Sequence, residues 1–199
     1  VAEINSLCVF CGSSSGAKPE YVAASHVLAD VMAEQGISLV YGGAHVGIMG
    51  QVADRLLQAG GKVYGVIPES LVDMEVAHDG LTELHVVNSM HTRKAKMAEL
   101  SDAFVSLPGG LGTLEEMFEV LTWAQLGFHE KPCGILNVAG FYDQLLSFLD
   151  NATEQQFMHE SHRQLLMADT DPTALLKKLL AFEPERKSKL ELLQTLVRP

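Results

Sequence analysis

At 199 residues and 47% hydrophobic content the chain is long enough to bury one sizeable core, and no Pro/Ser-rich linker or charge block divides it, so a single domain over 1–199 is expected. A formal net charge of −11 argues against nucleic acid as a partner, because that affinity comes mainly from Lys and Arg neutralising phosphates; small anionic ligands stay open to a local site. No apolar run reaches membrane-spanning length and no basic, apolar leader precedes the acid at Glu3, which points to a soluble, cytoplasmic protein with no membrane partner.

The first apolar run, "SLCVFC" (6–11), reads as a strand. Its C-x-x-C spacing sends Cys8 and Cys11 to opposite faces, so both are expected in the core rather than on a metal or in a disulfide. It runs into "CGSSSG" (11–16), and then "PEYVAASHVLADVMAEQG" (19–36) reads as a helix with Pro19 in its first turn and Gly36 at its stop. A second strand, "ISLVYG" (37–42), leads into "GGAHVGIMG" (42–50) and a helix that stops at Gly60 and Gly61. Strands follow at "KVYGVIP" (62–68) and "LHVVN" (84–88), then a helix at "MHTRKAKMAEL" (90–100) starting near Ser89 or Met90. "AFVSLP" (103–108) opens into "PGGLGTLEE" (108–116), and "CGILNV" (133–138) is the last strand expected. Beyond Val138 only helices are predicted, at "FYDQLLSFLDNATEQQF" (141–157), "DPTALLKKLLAF" (171–182) and "ERKSKLELLQTLV" (185–197). Short unalternating apolar runs separated by amphipathic stretches predict an α/β fold: a doubly wound, mostly parallel sheet with helices on both faces. The sheet core spans about 5–140 and a helical segment about 141–199.

In such a sheet, ligands bind beyond the carboxyl ends of the strands. Three of those junctions are glycine-rich, at 11–16, 42–50 and 108–116, and bare backbone followed by a helix start favours an anion. Any one of them alone is also an ordinary tight turn; three together point to a phosphate-bearing ligand. None is a Walker A loop. The dinucleotide fingerprint also fails, because Glu115 stands where its third glycine belongs, so a mononucleotide or sugar phosphate fits better than NAD.

Glu115 and Glu116 carry two readings. Thr113-Leu114-Glu115-Glu116 has the form of a T-x-x-E capping box, with Thr113 capping and Glu116 reaching back. Equally, a carboxylate next to a phosphate turn can stabilise the positive charge that builds on a sugar when its C–N bond breaks, or act as general base. The two acids are adjacent on a helix and cannot both face one atom; Glu116 is assigned the chemistry and Glu115 the ribose hydroxyls. Arg93 and Lys94 fall in a first helical turn, where positive charge opposes the dipole, so an anion is expected to compensate: a substrate phosphate or these carboxylates. Arg93 thus either clamps phosphate or orients Glu116. His78, His85 and His91 lack metal-ligand spacing, His45 sits inside a glycine turn, and Ser13 to Ser15 do not form a nucleophile elbow.

"PGGLGTLEE" resembles the P-G-G-x-G-T-x-x-E signature of the LOG family, the cytokinin riboside 5′-monophosphate phosphoribohydrolases, and "MHTRKAKM" is similar to the M-x-x-R-K segment that accompanies it. "GSSSG", "YGGAHVGIMG" and "TWAQLGFHEKPCGILNV" match in order, so the resemblance runs from about Ser6 to about Leu180. It implies a Rossmann-like fold, a homodimer, no metal or organic cofactor, and hydrolysis of the N-glycosidic bond of AMP or an N6-substituted AMP, the step that activates cytokinins. By motif, Arg93 and Glu116 match the catalytic pair. Gly109, Gly110, Gly112 and Thr113 match the phosphate turn, with Ser13, Ser14 and Gly43 beside it; Glu75, Lys94, Glu115 and Thr122 match positions near the nucleotide. Ala44 departs from the pattern, standing where many relatives have a third consecutive glycine.

Two other classes stay open. A nucleotide-binding carrier or sensor with this fold needs no turnover. A PLP-dependent lysine decarboxylase, the older label of the family, needs a Schiff-base lysine, for which Lys62, Lys94, Lys96 and Lys131 are the candidates.

Overall fold

A computed structural model describes residues 3–72 and 77–183; Glu75 and the predicted helix at 185–197 lie outside the described residues. In chain order the elements are β1 (Ser6–Phe10), α1 (Pro19–Glu34), β2 (Ser38–Tyr41), α2 (Gly47–Gln58), β3 (Val63–Pro68), α3 (Glu69–Val72), β4 (Glu83–Val87), α4 (Met90–Glu99) and β5 (Ala103–Ser106). There follow α5 (Leu111–Leu126), β6 (Cys133–Leu136), a 3-10 turn at Val138–Gly140, α6 (Asp143–Glu154), α7 (Glu160–Arg163), β7 (Leu166–Asp169) and α8 (Pro172–Leu180).

The strands form one sheet in the order β4-β3-β2-β1-β5-β6-β7, and every pairing is parallel. Strand order reverses between β1 and β5, which makes the carboxyl end of that pair the topological switch point, where a crevice opens between turns that diverge. Side chains along β1 alternate between two cores. Leu7 and Val9 join the cluster under α1, α2 and α8, while Cys8 and Phe10 join the one under α4, α5 and α6. Cys8 and Cys11 do lie in different clusters, and all three cysteines are free and buried.

The chain beyond Val138 is not purely helical. Four residues, Leu166 to Asp169, pair with β6 as the edge strand β7. Only Leu166 is buried there, so the strand lacks the continuous apolar run that marks the interior ones. Asp171 caps α8, its carboxylate accepting from Ala174 N at 2.7 Å. Among the described residues, no helix is long and apolar enough to cross a membrane.

Candidate active site

The three glycine-rich turns meet. Gly12 N donates to Pro108 O at 3.1 Å, joining the turn after β1 to the turn after β5, and Ile48 N donates to Gly12 O at 3.1 Å, joining the turn after β2. The contacts are tight enough to require glycine. Gly47, at φ +59°, packs on the Ser13–Ser14 peptide, and a Cβ on Gly109 would collide with the Thr113 side chain.

Gly110 and Gly112 differ in kind. Gly110 has an extended backbone, φ −96°, Gly112 is helical, and a Cβ on either would meet nothing within 4 Å. Nothing in the described chain demands their bareness, and what they leave is open space at the amino end of α5, beside exposed Ser13 and Ser14. First-turn amides and the helix dipole make that space hospitable to an anion.

The capping-box reading of Thr113 and Glu116 does not hold. The helix begins before them, with Gly110 as its N-cap and no side-chain cap, so Thr113 sits inside the first turn, 4% exposed, and Glu116 lies a turn farther in. Glu116 is therefore relieved of a capping task. Its half-buried carboxylate is close enough to β1 to matter electrostatically: burial first, and the Glu116 charge second, push the Cys8 and Cys11 thiols up.

Arg93 approaches from the opposite side of the switch point. Ser89 caps α4, accepting from Thr92 N at 3.1 Å, which puts Arg93 at the end of the first turn and aims it inward. The side chain is 6% exposed. Its Nε donates to Val66 O at 3.1 Å and its Nη2 to Gly42 O at 3.2 Å, and Nη1 lies 3.7 Å from Met90 Sδ. Gly42 is bare because a Cβ there would strike Nη2. One carbonyl just past β2 and one within β3 thus hold the guanidinium in place, and the Cys8 thiol feels both Arg93 and Glu116.

Lys94, the next residue on the same helix, is held by α5. Its Nζ stands 2.5 Å from Glu115 Oε1 and 3.0 Å from Glu119 Oε2. Partial desolvation opposes its charge, but the two carboxylates outweigh that and raise its pKa. Sequence reasoning missed Glu119; only its spacing of four from Glu115, which places both on one helix face, could have signalled it. Thr122 lies farther along α5, exposed, its hydroxyl donating to Phe118 O at 2.7 Å. Gly43, at φ +80°, is buried under the crevice and accepts from His78 N at 3.0 Å, and Ala44 is buried and bridges to Ala77, so its methyl group is absorbed by the core.

Most of the other histidines and lysines named from the sequence have partners elsewhere. His78 pairs with Asp54 at 2.9 Å, His85 lies 3.5 Å from Glu83, and His91 is exposed. Lys96 pairs with Glu99 and Lys131 donates to Ala98 O, while Lys62 precedes β3 at the amino end of the strands, opposite the glycine turns. None of the four candidate lysines presents a free amine at the crevice.

Comparisons with known proteins bear on the family and the fold. Residues 49–179 match the family described as "Possible lysine decarboxylase". A cytokinin riboside 5′-monophosphate phosphoribohydrolase of Arabidopsis thaliana, LOG7, is 47% identical over 90% of this chain and 82% of its own. The enzyme of that name from Oryza sativa subsp. japonica, LOG, is 48% identical over 90% of this chain and 74% of its own. Among solved structures, the molybdenum cofactor carrier protein of Chlamydomonas reinhardtii superposes with a TM-score of 0.68, covering 90% of this chain and 100% of its own. At 21% identity that likeness speaks for the fold alone. The chain is a member of the LOG family, a group of Rossmann-like α/β proteins that also carries the lysine decarboxylase description.

Proposed function

We propose that the protein hydrolyses the N-glycosidic bond of a purine nucleoside 5′-monophosphate, AMP or an N6-substituted AMP, to the free base and ribose 5-phosphate. The observation that carries this reading is the pairing, on one helix, of an open glycine turn with an inward carboxylate: Gly110 and Gly112 face empty space at the start of α5, and Glu116 lies one turn on. The names of the relatives above point to the same substrate class.

The roles divide by charge. Amides of Gly109 to Thr113, with the Ser13 and Ser14 hydroxyls, take the 5′-phosphate, and Gly43 lines the floor. As the C1′–N9 bond breaks, positive charge develops on the ribose and Glu116 stabilises it electrostatically. Water then adds at C1′ and gives a proton to Glu116, which passes it on to the departing base nitrogen, so that neutral base and ribose 5-phosphate form and Glu116 is a carboxylate again. Arg93, held by the Gly42 and Val66 carbonyls, orients Glu116 rather than swinging to phosphate. Glu115, Lys94 and Thr122 belong to the outer margin of the nucleotide site, and Glu75, outside the described residues, is carried over by motif alone.

The working unit is a homodimer. In support, α5 buries only Thr113, Met117 and Val120, while Leu114, Phe118, Leu121 and Trp123 are only partly covered, a flank a second copy would close. Free, buried cysteines suit the cytoplasm. Chromatography of products from AMP and its N6-prenylated counterpart tests the activity. Base and ribose 5-phosphate in equal amounts are expected. Tight AMP binding with no base released would instead identify a carrier, and cadaverine from lysine with added PLP would restore the decarboxylase reading.

A further inference from the structure

Adjacent residues on α4, Arg93 and Lys94, face α5, which carries the adjacent pair Glu115 and Glu116. Arg93 is turned inward and buried. Lys94 is nearly buried, its side chain 11% exposed, between Glu115, 54% exposed, and Glu119, 20% exposed. Glu115 is the solvated arm of this triad. Glu119 is the enclosed one: its Oε2 is buried, stands 3.0 Å from Nζ and takes no well-aligned hydrogen bond. Such a carboxylate is retained at a cost, since a charge withdrawn from water needs a partner. Two carboxylates four apart on one helix also repel each other unless a cation sits between them.

We propose that Glu119 and Lys94 form a positioning brace that fixes the charge around Glu116 and the register of α4 against α5. The inference rests on the reading of Glu116 as the carboxylate that faces the sugar. α4 packs chiefly on β3, and α5 on β5 and β1, so the two helices that deliver Arg93 and Glu116 rest on different strands. The Lys94 bridge ties them together directly. Glu119 lies one turn beyond Glu116, near enough for each charge to act on the other. Cys8 on β1 and Cys11 just after it feel the Glu116 charge, Cys8 also feels Arg93 from α4, Glu115 adjoins on the same helix, and β5 brings no titratable side chain. Both thiols are held neutral by burial, so they add no charge beside Glu116, whereas Arg93 and the triad do.

Opposite substitutions then give opposite shifts. Lys94→Gln leaves two uncompensated carboxylates beside Glu116 and moves the acid limb of kcat/KM for AMP to higher pH, by about one unit. Glu119→Gln removes a negative neighbour and moves the limb to lower pH; it also lowers kcat while leaving KM for AMP within about twofold. Glu119→Asp, which keeps the charge, keeps the wild-type limb. A role confined to stability would shift melting temperature and leave both limbs in place. Limbs that stay put, or that move the same way in Lys94→Gln and Glu119→Gln, overturn the brace. The carboxyl carbon of Glu116, assigned by NMR against Glu116→Gln, reports the same shifts without turnover. If the wild-type protein releases no adenine at any pH, the functional reading fails, and this titration alone decides the brace.

Discussion

Gly109 and Gly110 are neighbours that lack side chains for different reasons, and the difference is testable. A methyl group at Gly109 would run into Thr113, whereas one at Gly110 would project into open space with an ordinary backbone. Gly109→Ala should therefore destabilise the fold by about 1–3 kcal/mol, the usual cost of overpacking. Gly110→Ala should leave the melting temperature nearly unchanged and raise KM for AMP at least several-fold, because it fills the space assigned to phosphate. Denaturant titration and steady-state kinetics on the two variants check this, and equal behaviour would remove Gly110 from the phosphate seat. Glu116→Gln, isosteric but uncharged, should lower kcat for adenine release by at least about a hundredfold. At this scale the sequence singles out candidates wherever bare backbone and charge fall together in one short stretch, as at Gly109 to Glu116. It is silent on contacts made across the fold: nothing near Glu119 in sequence reveals Lys94, and nothing near Arg93 reveals the Val66 and Gly42 carbonyls.

Helix α5 shows how an element's start decides what its residues can do. With its N-cap at Gly110, the helix needs no capping box, and Thr113 and Glu116 are freed for other contacts. The T-x-x-E pattern misled because it is a local signature, and tight packing of the turn on Gly12 moved the start upstream of it. β7 was hidden for the complementary reason, since an edge strand is partly solvated and carries no interior pattern. The far end of α5 carries a pH dependence. His129 Nε2 pairs with Val120 O at 2.9 Å and its Nδ1 accepts from Lys131 N at 3.1 Å, so the ring fits as the neutral tautomer with hydrogen on Nε2. Burial lowers its pKa from the usual 6.5, and Lys131 assists, against the Val120 hydrogen bond. A depressed value means that the unfolded chain binds the proton more readily. The stability His129 contributes is thus full above pH 6.5 and is lost as pH falls through the folded value. Melting temperature should decline between about pH 7 and pH 5, and decline less in His129→Asn.

At the scale of the molecule, alternating strand and helix signals were enough to predict a doubly wound sheet, and parallel pairing follows because each helix returns the chain to the end where the strands start. The strand order was not written in any one segment, because it depends on which side of β1 each later strand adds, yet that order creates the crevice. Ligand binding should be felt by the whole fold. AMP at a hundred times its Kd should add about 2.7 kcal/mol and raise the melting temperature by about 5–10 °C. Glu116→Gln should keep that rise while losing turnover, since it removes a negative charge near a dianion; loss of the rise would make Glu116 a binding group. The floor beneath Arg93 carries a consequence for descent. Because position 42 has no room for even a methyl group while a guanidinium rests on it, the two positions are bound to drift together. Kin that have given up the arginine are released from that restriction and free to accumulate larger side chains there, so one codon would separate working lineages from those that merely kept the scaffold.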